Sequence, residues 1–195
     1  MKVIIVGDGK VGDILANYIS DEGHDVTVID NNAERMDAIV SKYDVQGYVG
    51  NGASYKDLME VDVDEADLFI AVTGSDESNM LCCMIAKKLG AKHTIARVRN
   101  PEYSNQFGFM RTQLGVDVII NSEYEAARVI SRLIQFPDAL NIDTFGKGKV
   151  DIAEIKIGEN HPLIGMQLMD FQKTKTNILV CAVQRNNDVI IPGGD

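Results

Sequence analysis

A G-x-G-x-x-G set between two apolar runs constrains this chain more than any other feature. Lys2-Val-Ile-Ile-Val6 is a short β-branched run that reads as a buried parallel strand. It stops at Gly7-Asp-Gly-Lys-Val-Gly12. A helical pattern follows, with Val11, Ile14, Leu15, Tyr18 and Ile19 on one face, and runs to Gly23. A second apolar run, Val26-Thr-Val-Ile29, closes on Asp30, eighteen residues beyond Gly12. A glycine motif alone is weak evidence. The strand before it, the helix after it and the acid on the next strand together specify a nucleotide-binding unit.

Each part has a physical task in holding a dinucleotide or an adenine nucleotide. Gly7 permits the tight turn, Gly9 lets the backbone approach a pyrophosphate, and Gly12 lets helix and strand pack closely. The helix that starts near Lys10 points unpaired N–H groups and its positive dipole end at that phosphate. Asp30 is placed to accept hydrogen bonds from ribose hydroxyls and to repel a 2′-phosphate. No basic residue follows it until Arg35, so NAD or a plain adenine nucleotide is favoured over NADP.

The alternation of strand and helix continues well past Asp30. Ala33–Tyr43 is helical in pattern and Val45–Val49 is a third strand. Gly50-Asn-Gly-Ala-Ser54 is loop chemistry, with Ser54 placed to cap a short helix. Asp67–Val72, Thr94–Val98 and Val116–Ile120 read as three more strands, with helices after Thr73 and Pro101. The expected fold is α/β, a Rossmann-like doubly wound parallel sheet covered on both faces. Its 195 residues suffice for one such domain plus a small appendage.

Ser122–Phe136 is the last long helix of this unit, with Ser122 as the expected cap and Pro137 as terminator. Ala126, Val129, Ile130, Leu133 and Ile134 make a broad apolar stripe. From the residues alone, the stripe reads as a helix covering the sheet, with a subunit contact as the alternative. After Pro137 the rhythm changes to strand-like pieces at Leu140–Phe145, Val150–Ile157, Ile178–Val183 and Asp188–Ile191. The expected division is therefore a nucleotide-binding domain over 1–137 and a small α+β domain over 138–195. That second domain stops at Pro192-Gly-Gly-Asp195 without a finishing element and reads as truncated, the start of a longer unit.

Bulk properties exclude several function classes. A net charge of −10, from 29 acids against 19 bases, argues against a nucleic-acid surface. Met1 leads straight into a strand and no apolar stretch is long enough to span a bilayer, so a soluble, cytoplasmic chain is expected. Three cysteines, two of them adjacent at Cys82 and Cys83, make neither a disulfide framework nor a zinc spacing.

Ligands of a doubly wound sheet lie across the carboxyl ends of its strands. The polar residues expected there are Asp8, Lys10, Asp30, Asn51, Thr73, Asp76, Arg97 and Arg99. Thr73 and Gly74 should lie near the pyrophosphate or second ribose, and Asn51 and Gly52 near the adenine. Arg97 reads equally as a phosphate contact or as the partner of a local carboxylate. A dehydrogenase needs a proton-transfer residue beside the nicotinamide. His24 and His93 fall at the amino ends of strands, the wrong edge, and His161 falls in a loop of the small domain.

These residues also support a family resemblance over nearly the whole chain. Gly7-Asp-Gly-Lys-Val-Gly12, Asp30 with Glu34-Arg35, Gly50-Asn-Gly-Ala-Ser54 and Ala71–Met80 carry it, together with Ile95–Tyr103 and Arg132–Leu140. The chain resembles the RCK/KTN regulatory subunits of Trk/Ktr potassium uptake systems, most closely the TrkA type. The resemblance implies a non-enzymatic cytoplasmic sensor that binds NAD(H) or ATP/ADP. It implies assembly as a homo-oligomer, from dimer to ring, on a membrane potassium transporter or channel of the TrkH/KtrB type, without inserting in the membrane itself. It assigns the nucleotide contacts to Gly7, Asp8, Gly9, Lys10, Val11 and Gly12 of the turn, and to Asp30, Asn51, Gly52, Thr73, Gly74 and Arg97. Helix 122–136 becomes a dimer element, and 138–195 the start of a C-terminal domain that continues further in the family, in which such units often occur in tandem. The rival readings are an NAD-dependent oxidoreductase and a nucleotide-sensing adaptor for another membrane partner.

Overall fold

In the computed structural model the apolar runs become strands β1 (Lys2–Val6), β2 (Asp25–Asp30), β3 (Gln46–Val49), β4 (Leu68–Ala71), β5 (His93–Arg97) and β6 (Val118–Ile120). All pair in parallel, in the order β3-β2-β1-β4-β5-β6. The order reverses between β1 and β4, which opens the crevice where ligands of this fold lie. The structure describes residues 1–137, 139–146, 149–159, 161–174, 178–186 and 188–193. The expected domain boundary at 138 and parts of the expected linkers, at 147–148 and 160, lie outside the described residues.

Helices α1 (Lys10–Asp21), α2 (Ala33–Lys42), α3 (Tyr55–Glu60), α4 (Asp76–Leu89) and α5 (Phe107–Gln113) fill the connections. A short 3₁₀ turn at Pro101–Gln106 precedes α5. β1 explains why the first run does not alternate. Val3 and Ile5 pack with Met36 and Ile39 on one face, and Ile4 and Val6 pack with Leu58, Phe69 and Cys83 on the other. A central parallel strand is buried twice. Burial also removes Cys82 and Cys83 from thiol chemistry, pushing Cys82 up to about 11 and Cys83 higher still.

Caps follow the sequence with one exception. Ser54 and Ser75 accept from the Asp57 and Ser78 amides, and Gly90 at φ +127° ends α4. Helix α6 (Ser122–Gln135), however, is capped by Asn121, whose Oδ1 accepts from the Tyr124 N–H at 2.9 Å. Ser122 is the first helical residue, and its hydroxyl serves Arg97 and Glu123 instead. The reading of α6 as a cover for the sheet is also overturned. None of its residues is buried, and Val129, Ile130, Leu133 and Ile134 are each more than half exposed.

The chain forms two compact units, Met1–Arg128 and Val129–Asp195. Every buried apolar side chain described lies between Val3 and Val116, so the core belongs to the first. The second contains an antiparallel pair, β7 (Ala139–Phe145) with β8 (Val150–Ile155), then α7 (Leu168–Thr174) and a second pair, β9 (Val183–Arg185) with β10 (Asp188–Ile190). The strand expected over 178–183 starts only at Val183. Its partner offers three residues, so the pairing has nothing to extend along.

Candidate functional site

The glycine turn is built by three different constraints. Gly7 adopts φ +99°, and a Cβ there would meet the Thr73 backbone at 3.0 Å. Its N–H donates to the Ile29 carbonyl at 2.8 Å, tying the turn to β2. A Cβ on Gly12 would stand 1.9 Å from the Gly7 carbonyl oxygen, so α1 packs on the turn only without a side chain there. Gly9 is different, since a Cβ would meet nothing within 4 Å. The protein's own packing does not require glycine at position 9, whereas a phosphate approaching the amides at the start of α1 would. Gly9 is the N-cap of α1 and no side chain caps that end. Lys10 beside it is exposed and, among the described residues, unpaired; Val11 packs inward on the α1 face.

Asp30 does more than the sequence suggested. Its Oδ2 accepts from the Asp8 N–H at 2.8 Å and its Oδ1 from the Asn32 N–H at 2.9 Å. The carboxylate therefore anchors the turn and holds Asn32, the N-cap of α2, and each oxygen keeps a further lone pair for a hydroxyl donor. Arg35 stands 3.8 Å from Oδ2. Asp8 carries the turn's unsatisfied polar atom: its Oδ1 is buried and, among the described residues, has no hydrogen-bond partner. Burial, and then the nearby Asp13 and Asp30 carboxylates, hold the Asp8 carboxyl above its ordinary value.

The other expected contacts converge on the same crevice from β3 and β4. Gly52 lies against the end of β1, where a Cβ would come 2.3 Å from Val6 Cγ1. Asn51 is folded into its own loop, accepting from the Ala53 N–H at 2.9 Å and donating its N–H to Asp57 at 2.7 Å. Thr73 faces Gly7, and a Cβ on Gly74 would meet nothing within 4 Å. Arg97 is engaged at the start of α6, with Nε donating to Ser122 Oγ at 3.2 Å and Nη2 to Glu123 at 2.7 Å. Its guanidinium thus occupies the local ion pair that the sequence left open as an alternative.

Two buried polar residues organise this edge: Asp76, which the sequence places there, and Asn79, which the sequence reading did not single out. Asn79, fully buried on α4, accepts from both the Thr73 N–H and the Thr73 hydroxyl at 2.7 Å, and donates to the Arg97 carbonyl at 2.8 Å. Asp76 accepts from the Arg99 and Asn100 amides at 2.8 Å, and Arg99 also donates to the Gly74 carbonyl. These bonds lock the ends of β4 and β5 together. A polar residue on the inward stripe of an otherwise apolar helix was the available signal.

The sequence of both units identifies the lineage. The TrkA-N domain model matches residues 3–122 and the TrkA-C domain model residues 152–195. The chain belongs to the TrkA family. Among TrkA relatives, a Trk system potassium uptake protein TrkA homolog of Archaeoglobus fulgidus is 38% identical over 195 residues, all of this chain and 44% of that protein. Another, of Methanothermobacter thermautotrophicus, is 34% identical over the whole chain and 88% of that protein. The chain thus spans less than half of the first relative's length.

Solved structures carry the same fold. The TrkA-N domain of the inner membrane protein ybaL from Escherichia coli superposes with a TM-score of 0.61 at 21% identity, covering 68% of this chain and 96% of that one. The GsuK channel bound to NAD gives 0.62 at 17% identity, covering 98% of this chain and 34% of that one. GsuK bound to ADP gives 0.56 at 18% identity over 70% of this chain and 34% of that one.

Proposed function

We propose that this TrkA-family chain is a cytoplasmic nucleotide sensor that regulates a membrane potassium transporter or channel of the TrkH/KtrB type. The observation that carries the reading is the open backbone at Gly9, set at the reversal of the sheet between the Asp30 anchor and Thr73. NAD(H) or ATP/ADP fits it, in line with the NAD-bound and ADP-bound neighbours of the same fold. The amides at the start of α1 would take phosphate, Asp30 a ribose hydroxyl, and Gly52, Thr73 and Gly74 would line the remainder. The proposed division is a nucleotide-binding domain over 1–137 and the start of a C-terminal domain over 138–195.

Regulation, rather than hydride chemistry, fits the placement of the histidines. His24 lies between α1 and β2, within 3.5 Å of the Met1 amino group, and His93 opens β5; both are at the amino edge of the sheet. A nucleotide would shift the assembly only by as much as it prefers one conformation over another. The exposed stripe of α6 is proposed as the contact between copies. Among the described residues, no helix is long and apolar enough to cross a membrane.

Calorimetric titration of NADH, NAD, ATP and ADP tests the reading. At least one should bind, and Asp30→Ala should weaken it by about tenfold or more, as loss of a charged hydrogen-bond acceptor implies. Binding of none of the four would overturn the assignment.

A further inference from the structure

The charges around the glycine turn balance in an informative way. Asp13 on α1 is paired with Lys42 of α2 at 3.1 Å, and Asp30 at the end of β2 stands 3.8 Å from Arg35 of α2. Those four groups are the charged neighbours that act on Asp8. With both cations already matched, Asp8 is, among the described residues, the carboxylate of the turn without a counter-ion, and its buried Oδ1 has no hydrogen-bond donor among them either. Its backbone N–H is held at 2.8 Å by Asp30, which fixes the main chain of the residue within the turn. On the other side, Lys10 and the free amides at the start of α1 supply the attraction for an anion.

We infer that Asp8 sets the class of ligand at this turn: it biases the site toward a dinucleotide, each of whose two phosphates carries one negative charge, and against nucleotides that end in a doubly charged phosphate. The inference rests on the proposed nucleotide site and names its preferred occupant. A partly buried carboxylate without a counter-ion is screened less than a fully exposed one, so each additional negative charge placed at the Gly9 and Lys10 amides is opposed. A pyrophosphate with carbon esters at both ends minimises that opposition. A terminal phosphate of ADP or ATP maximises it.

The test is calorimetric titration of NAD and ATP against the full chain and its isosteric Asp8→Asn variant, with thermal denaturation to confirm folding. In the variant, ATP affinity should rise about threefold to tenfold and NAD affinity by a smaller factor, so that the NAD-to-ATP preference falls. Lowering the pH from neutral toward the raised range of the Asp8 carboxyl should move the wild-type NAD-to-ATP preference in the same direction. The pH-driven change in that ratio should be smaller in the variant, which separates a charge effect from a merely structural one. Equal changes for both ligands, or a ratio unaffected by the substitution, would overturn the role of Asp8 while leaving the nucleotide site standing. If the wild type binds neither ligand, the site itself fails and this inference with it.

Discussion

Gly9 and Gly12 share a motif and answer to different demands, which makes them separable by mutation. Gly12→Ala forces a methyl into the Gly7 carbonyl and should destabilise the fold by about 2–4 kcal/mol, read as a lowered denaturation midpoint. Gly9→Ala meets only open space and should change stability by less than about 1 kcal/mol. Its effect should fall on nucleotide affinity instead. Asp8 makes a third prediction. Its carboxyl is raised in the folded state, so folding favours the protonated form, and stability on this account declines as pH rises through that value. Asp8→Asn should therefore raise the thermal midpoint by roughly 2–5 °C at neutral pH, with the gain shrinking in acid. The glycine spacing and Asp30 were legible in the sequence because the motif is local. The Asp30 bond to the Asp8 amide was not, since it depends on how two strand ends meet.

At the scale of elements, α6 and α4 show what periodicity conceals. An apolar stripe has the same spacing whether it faces a sheet or another molecule. That is why α6 could be recognised as amphipathic while its exposed state could not. If α6 joins two copies, Ile130→Glu with Leu133→Glu should lower the mass measured by analytical ultracentrifugation. The thermal midpoint of the first unit should stay within a few degrees, because neither side chain is part of its core. An unchanged mass would remove α6 from the interface. In α4, Asn79 breaks an apolar face for a reason found only in three dimensions. Asn79→Ala would leave the Thr73 amide and the Arg97 carbonyl without their buried partner, at about 2–4 kcal/mol.

For the molecule as a whole, the first unit was readable because six strands and their helices repeat one pattern. The second was less so, because strands of three residues carry too few positions to show a period. Acid stability is a property of this larger scale. The Asp67 carboxyl is held down by Lys92 at 2.6 Å and by the Lys2 N–H. Burial alone would raise Asp117, yet Lys87 at 2.8 Å and the Thr94 N–H hold it below its ordinary value. Both therefore contribute stability that is present above the ordinary carboxyl range and lost as pH falls through their depressed values. Thermal midpoints followed down the pH scale should drop most steeply below about pH 4, and Asp117→Asn should flatten part of that slope.

The Asn79 clasp also has a kinetic signature. The Thr73 amide lies beyond the end of β4, where a loop hydrogen would ordinarily be lost to heavy water within seconds to minutes. Held by a buried acceptor, it can be replaced only when α4 and the strand ends separate, so its protection should match that of amides in the middle of the sheet. It is a deuterium clock set beside the glycine turn.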